Sequence, residues 1–138
     1  MTTLAANKAR AYEIGDNNAL PMIAADIIYE GAAVGDNGAG LARPLVATDP
    51  FLGFATRQAD NSAGAASAVR VELKQRGEIE LVVTGVASAD DVGVTVYAAD
   101  DDTFTLTSSG NTAIGKVVRW VTGTTCVVYF EGVQVRSI

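Results

Sequence analysis

At 138 residues and 14.2 kDa the chain is long enough for one self-supporting core, burying roughly two thirds of its unfolded surface, and is expected to form a single domain. Ten basic against sixteen acidic residues give a formal net charge of −6 with no segment that collects Lys and Arg, which disfavours nucleic acid and anionic membranes as partners. The absence of histidine removes Ser-His, Cys-His and His-metal chemistry, and a single cysteine excludes an internal disulfide.

Hydrophobic residues make up 49% of the chain but aromatics only 7%, and the 14 glycines among many Ala and Thr predict thin strands and tight turns. Residues 1–20 mix Ala, Asn and charge without sustained periodicity. Gly15-Asp16-Asn17-Asn18 followed by Pro21 is turn chemistry, so residues 1–21 read as an extended amino-terminal arm and 22–138 as one β domain. LAANKARAYE is long enough for a helical turn or two, which in isolation is marginal in water. The start, MTTLAANKARAYEIGD, lacks the apolar core of a signal peptide, and no apolar run spans a bilayer. The expectation is a protein kept in the cytosol unless an assembly carries it out.

Strand signals begin after Met22: Ile27-Ile28-Tyr29, the turn Gly35-Asp36-Asn37-Gly38, residues 41–46, and residues 51–56. Pro44 cannot donate to a ladder, so its strand is predicted at an edge or a bulge. Residues 58–67, QADNSAGAAS, read as a small-residue loop. Val69, Val71 and Leu73 alternate with Arg70, Glu72 and Lys74, and beyond Gly77 the residues Ile79, Leu81 and Val83 alternate with Glu78 and Glu80. This predicts a hairpin with one wet face. Ser88-Ala89-Asp90-Asp91 has the form of a capping box that closes one helical turn before Gly93.

A further hairpin and two more strands follow. Residues 94–98 and 104–106 form a predicted hairpin, then come 114–121 and 126–131. In the first of the last two, strict alternation puts Ile114, Lys116, Val118 and Trp120 on one face and Gly115, Val117, Arg119 and Val121 on the other, with Lys116 at an end or edge. Cys126 is expected inside with Val128 and Phe130. Residues 27–29, 51–55 and 69–73 also echo 94–97, 114–118 and 127–130, as two β-meanders would that pack face to face or close into a small barrel, although the spacings differ.

Motifs that suggest chemistry reduce to turns. Gly110-Asn111-Thr112-Ala113-Ile114-Gly115-Lys116 matches seven positions of a phosphate loop, but Val117 stands where a magnesium-holding Ser or Thr is required, and a strand follows instead of a helix. Gly35, Gly38 and Gly40 lack dinucleotide-binding spacing. Asp100-Asp101-Asp102 lacks the alternating spacing of a calcium loop and reads as a hairpin turn. Carboxylate-only acid–base chemistry survives on composition, yet most acids occupy outward strand positions or turns. Trp120, Tyr97 and Tyr129 are sparse aromatics that read as core or subunit contacts before a sugar-binding face. No cofactor, metal or catalytic residue is expected.

The cadence of residues 91–130, DVGVTVYAADDDTFTLTSSGNTAIGKVVRWVTGTTCVVYF, resembles the carboxyl half of small bacteriophage head decoration proteins, also called capsid cement proteins. The resemblance is best over residues 78–132 and extends back to Ile27. It implies an all-β fold, a compact small barrel or sandwich of short antiparallel strands (β-tulip-like), with an amino-terminal arm. It further implies a non-enzymatic virion protein, assembled in the host cytoplasm, that sits on the outer capsid surface as a homotrimer and bridges major capsid protein subunits. On that reading the candidate partner-binding side chains are those of the arm, Leu4, Lys8, Arg10, Tyr12 and Ile14, together with the Ala/Gly-rich loops. The alternative is a ligand- or carbohydrate-binding β module of a virion appendage.

Overall fold

The computed structural model describes residues 5–9 and 15–132. Among them the chain is nearly all β. Its strands are β1 (Asn17–Pro21), β2 (Asp26–Ile28), β3 (Ala33–Asp36), β4 (Ala42–Pro44), β5 (Phe51–Ala55) and β6 (Ala59–Asn61), then β7 (Arg70–Lys74), β8 (Arg76–Thr84), β9 (Thr95–Ala98), β10 (Phe104–Thr105), β11 (Thr112–Thr122) and β12 (Thr125–Glu131). One 3-10 turn, Ala89–Asp91, precedes β9. It carries the expected capping box: Ser88 Oγ accepts from the Asp90 amide, and Asp91 Oδ2 accepts from the amides of Ala87 and Ser88.

The strands form an open antiparallel sheet in the order β1-β7-β5-β3-β4, a closed barrel in the order β10-β8-β12-β11-β9, and a ribbon of β2 with β6. Antiparallel pairings run round the barrel except at its seam, where β10 lies parallel to β8. Closure removes sheet edges from this half of the molecule. In the open sheet, β4 is an edge strand, and Pro44 occupies it as a residue without an amide donor should.

The core follows from this layout. The sheet is covered on both faces at β3 and β5, which read as near-continuous apolar runs, whereas β7 keeps one wet face and alternates. Ala33 and Phe54 face the barrel, while their neighbours Val34 and Ala55 join Met22, Ile28, Val71 and Leu73 in a second core beside the ribbon. The barrel interior holds Val83, Val96, Ile114, Val117, Cys126, Val128 and Phe130, which places Cys126 with Val128 and Phe130 as expected. All four phenylalanines meet where the sheet abuts the barrel. Phe54 is the centre of the group, with ring centroids 5.5 Å from Phe51, 5.9 Å from Phe104 and 4.9 Å from Phe130.

Several sequence expectations are corrected. Residues 70–74 and 76–84 do not form a hairpin: β7 pairs with β1 and β5, whereas β8 pairs with β12 and β10. The chain leaves the sheet and enters the barrel around Gly77, whose φ of 148° suits glycine. Asn17–Pro21, expected in the arm, instead form β1 and add an edge to the sheet. Residues 58–67 are not wholly loop, since β6 pairs with β2 there. The two meanders are not copies: β9, β11 and β12 are neighbours in one barrel, while β2 lies apart from β5 and β7.

Strict alternation also fails in β11. Register shifts at Ile114, Val118 and Val121 insert one extra residue each, so Ile114 and Val117 both point inward. Lys116 is not at an edge, because β11 is flanked by β9 and β12.

Candidate partner-binding surface

Of the arm residues singled out in the sequence, Leu4, Arg10, Tyr12 and Ile14 lie outside the described residues, and Lys8 is exposed. The structure therefore describes the root of the arm and not its length. That root is fixed by Gln75, the residue between β7 and β8. The Gln75 amide donates to the Asp16 carbonyl at 2.7 Å, and its Nε2 donates to the Gly15 carbonyl at 3.0 Å. Its Oε1 accepts from Asn18 Nδ2 at 3.0 Å, and its carbonyl accepts from the Gly132 amide at 2.6 Å. One side chain and its backbone thus hold the start of β1, the sheet-to-barrel crossing and the end of β12 together.

The Ala/Gly-rich loops are internally tied. Asp36 Oδ1 accepts from the amides of Gly38 and Gly40, and Asn37 Oδ1 from those of Ala39 and Leu41, so two side chains shape the β3–β4 connection. Asn61 is 2% exposed and donates to the carbonyls of Ile23 and Ala65, which anchors residues 62–67 over the ribbon. The β4–β5 loop is held by a bidentate pair, Arg43 Nε and Nη2 donating to Asp49 at 2.9 and 2.7 Å, and Asp49 also accepts from the Val46 amide. Thr112 Oγ1 at the start of β11 donates to the Asp49 carbonyl, tying this loop to the barrel.

Asp100, Asp101 and Asp102 form the connection between β9 and β10, as a turn reading requires. Burial, and then the neighbouring charges of Asp100 and Asp102, push the Asp101 carboxyl above its usual range. Asp100 moves the other way, because the Asp102 amide stabilises its charge. The supposed phosphate loop is a turn at Gly110 leading into β11, and Lys116 stands exposed on the strand. Burial raises the Cys126 thiol, which disfavours the reactive thiolate.

The outer wall of the barrel is formed by β11, β12 and β8. Because of the bulges at Val118 and Val121, Lys116, Arg119 and Thr122 lie opposite Tyr129, Val127 and Thr125. These in turn lie opposite Glu78, Glu80 and Val82. Residues directly opposite on neighbouring strands share a face. The wall is therefore three columns wide, basic on β11, uncharged on β12 and acidic on β8, with Val82 64% exposed at one corner. Alternation had separated Lys116 from Arg119, and the bulged residue between their rows is what reunites them. The aromatics proposed for a sugar face do not gather: Tyr97 lies opposite Ala113, Tyr129 opposite Lys116, and Trp120 donates through Nε1 to the Gly123 carbonyl.

Among the described residues no helix is long and apolar enough to cross a membrane. No family model and no curated protein matches the chain.

Proposed function

We propose that this chain is a non-catalytic virion protein that binds the outer surface of an icosahedral phage head and stabilises it by bridging major capsid protein subunits. The observation that carries this reading is the coincidence of the resembling segment with a structural unit. Residues 78–132 cover nearly all of the barrel built from β8–β12, so the cadence shared with head decoration proteins belongs to one closed body instead of to fragments of several sheets.

Two further features suit the task. The loops around the body are held by their own side chains, so docking orders little additional backbone. The arm leaves from a point fixed by Gln75 and can lie along a neighbouring subunit while the body stays in register. If three such chains act as one trimer, modest individual contacts gain effective concentration, and avidity rises by roughly two to four orders of magnitude. A trimer also suits a three-fold position of the shell.

The test uses heads that lack the protein, incubated with the full chain and with a chain beginning at Gly15. The full chain loads the heads and the shortened chain loads them more weakly. Equal loading by both removes the arm from the mechanism, and loading by neither overturns the reading.

A further inference from the structure

We infer that the β11–β12–β8 wall is the surface through which copies of this chain bind one another, the Lys116 and Arg119 column of one copy meeting the Glu78 and Glu80 column of the next. Neighbouring strands lie about 4.8 Å apart, so the two charged columns stand about 10 Å apart on either side of Tyr129 and Val127. Among the described residues none of these four charges forms an ion pair. All four are exposed, and Val127 between them is 6% exposed although it lies outside both hydrophobic cores.

The occupant follows from the charge pattern. A wall with one positive and one negative column has its complement in another copy of itself, turned so that unlike columns face. A partner of unrelated sequence needs a matching pair of columns, whereas a second copy supplies them by construction. Unlike columns meet both in a two-fold pair, where each copy's basic column faces the other's acidic one, and in a head-to-tail ring. The charge pattern therefore fixes the surface, and a mass of two chains leaves the contact standing while removing the three-fold arrangement. Three copies about an axis parallel to β12 bring each basic column against its neighbour's acidic one, with the Tyr129 column nearest the axis. The inference deepens the proposed function and rests on it for the number of copies, three.

Light scattering on the purified chain, the Lys116→Glu/Arg119→Glu variant, the Glu78→Lys/Glu80→Lys variant and the variant carrying all four changes tests the contact. The expected mass of the unaltered chain is three times 14.2 kDa. Reversing either column alone sets like charges against each other and weakens association by about a hundredfold or more. Reversing both restores it. Association of the unaltered chain also weakens as salt rises from about 0.05 to about 0.5 M, a measurement that needs no variant to fold. A monomeric unaltered chain, single-column variants that associate normally, or a folded four-change variant that stays monomeric overturns the inference. Head binding is scored separately. A chain that trimerises but never binds heads overturns the proposed function and leaves this contact standing, and a chain that loads heads as a monomer does the reverse.

Discussion

Phe54 of the open sheet and Phe130 of the barrel meet edge to face, with ring centroids 4.9 Å apart and planes at 80°. This contact, reinforced by Phe51 and Phe104, joins two β units whose strands share no ladder between named elements. Edge-to-face geometry sets the positive rim of one ring against the negative face of the other. The junction is therefore specific as well as apolar.

Phe54→Ala is expected to lower stability by about 3–5 kcal/mol, because it removes the ring that touches all three others. Denaturant unfolding of Phe54→Ala, Phe130→Ala and the double variant gives the coupling between the rings, expected at about 0.5–1.5 kcal/mol. Strict additivity of the two losses shows that the contact contributes nothing beyond burial.

Gly115 lies opposite both Val96 and Phe130 at a bulge of β11, and a β-carbon there collides with the Tyr129 carbonyl. Backbone cannot yield as a flexible side chain does, so Gly115→Ala should cost about 1–3 kcal/mol. Thermal unfolding measures this, and an unchanged midpoint contradicts the tight packing of β11 on β12.

The raised carboxyl of Asp101 makes a signed prediction about pH. Its affinity for a proton is higher folded than unfolded, where 3.8 is the ordinary value, so its contribution to stability falls as pH rises through that value toward the raised one. Asp101→Asn removes the loss. The variant is expected to be more stable than the unaltered chain near pH 7 and to lose that advantage in acid below 3.8, where the native carboxyl is protonated in both states. Unfolding midpoints across pH 3 to 7 test the direction, and a variant less stable near neutral pH contradicts it.

Gln75→Ala removes two side-chain hydrogen bonds at the root of the arm, to Gly15 and from Asn18, each worth about 1 kcal/mol. Together they amount to about 2 kcal/mol, so local opening of β1 should become roughly thirtyfold more frequent, about 1.4 kcal/mol corresponding to a factor of ten. Hydrogen exchange at the amides of Asn18 and Leu20, which stand opposite Leu73 and Val71 in the ladder, reads this. Unchanged protection there shows that the edge strand is held by its ladder alone.

Local chemistry was legible in the sequence and long-range pairing was not. The capping box at Ser88, the Asp100–Asp102 turn and the inward face of Cys126, Val128 and Phe130 all follow from patterns a few residues long. The partners of β7 and β8 do not. Both strands alternate cleanly, and nothing in Gln75 or Gly77 announces that one belongs to the sheet and the other to the barrel. Bulges are equally silent, because Val118 and Val121 are ordinary strand residues, so the shared face of Lys116 and Arg119 emerges only from the register. β6 was hidden by composition: Ala59-Asp60-Asn61 has turn character, yet Asn61 is held inside by the carbonyls of Ile23 and Ala65.

The central claim is attachment to a phage head, and the most direct measurement is sedimentation of heads lacking the protein after incubation with the purified chain across a range of concentrations. Saturable co-sedimentation, a plateau at three chains per site and heads that withstand more heat once loaded are expected. Absence of co-sedimentation at any concentration, with the chain folded, contradicts that claim.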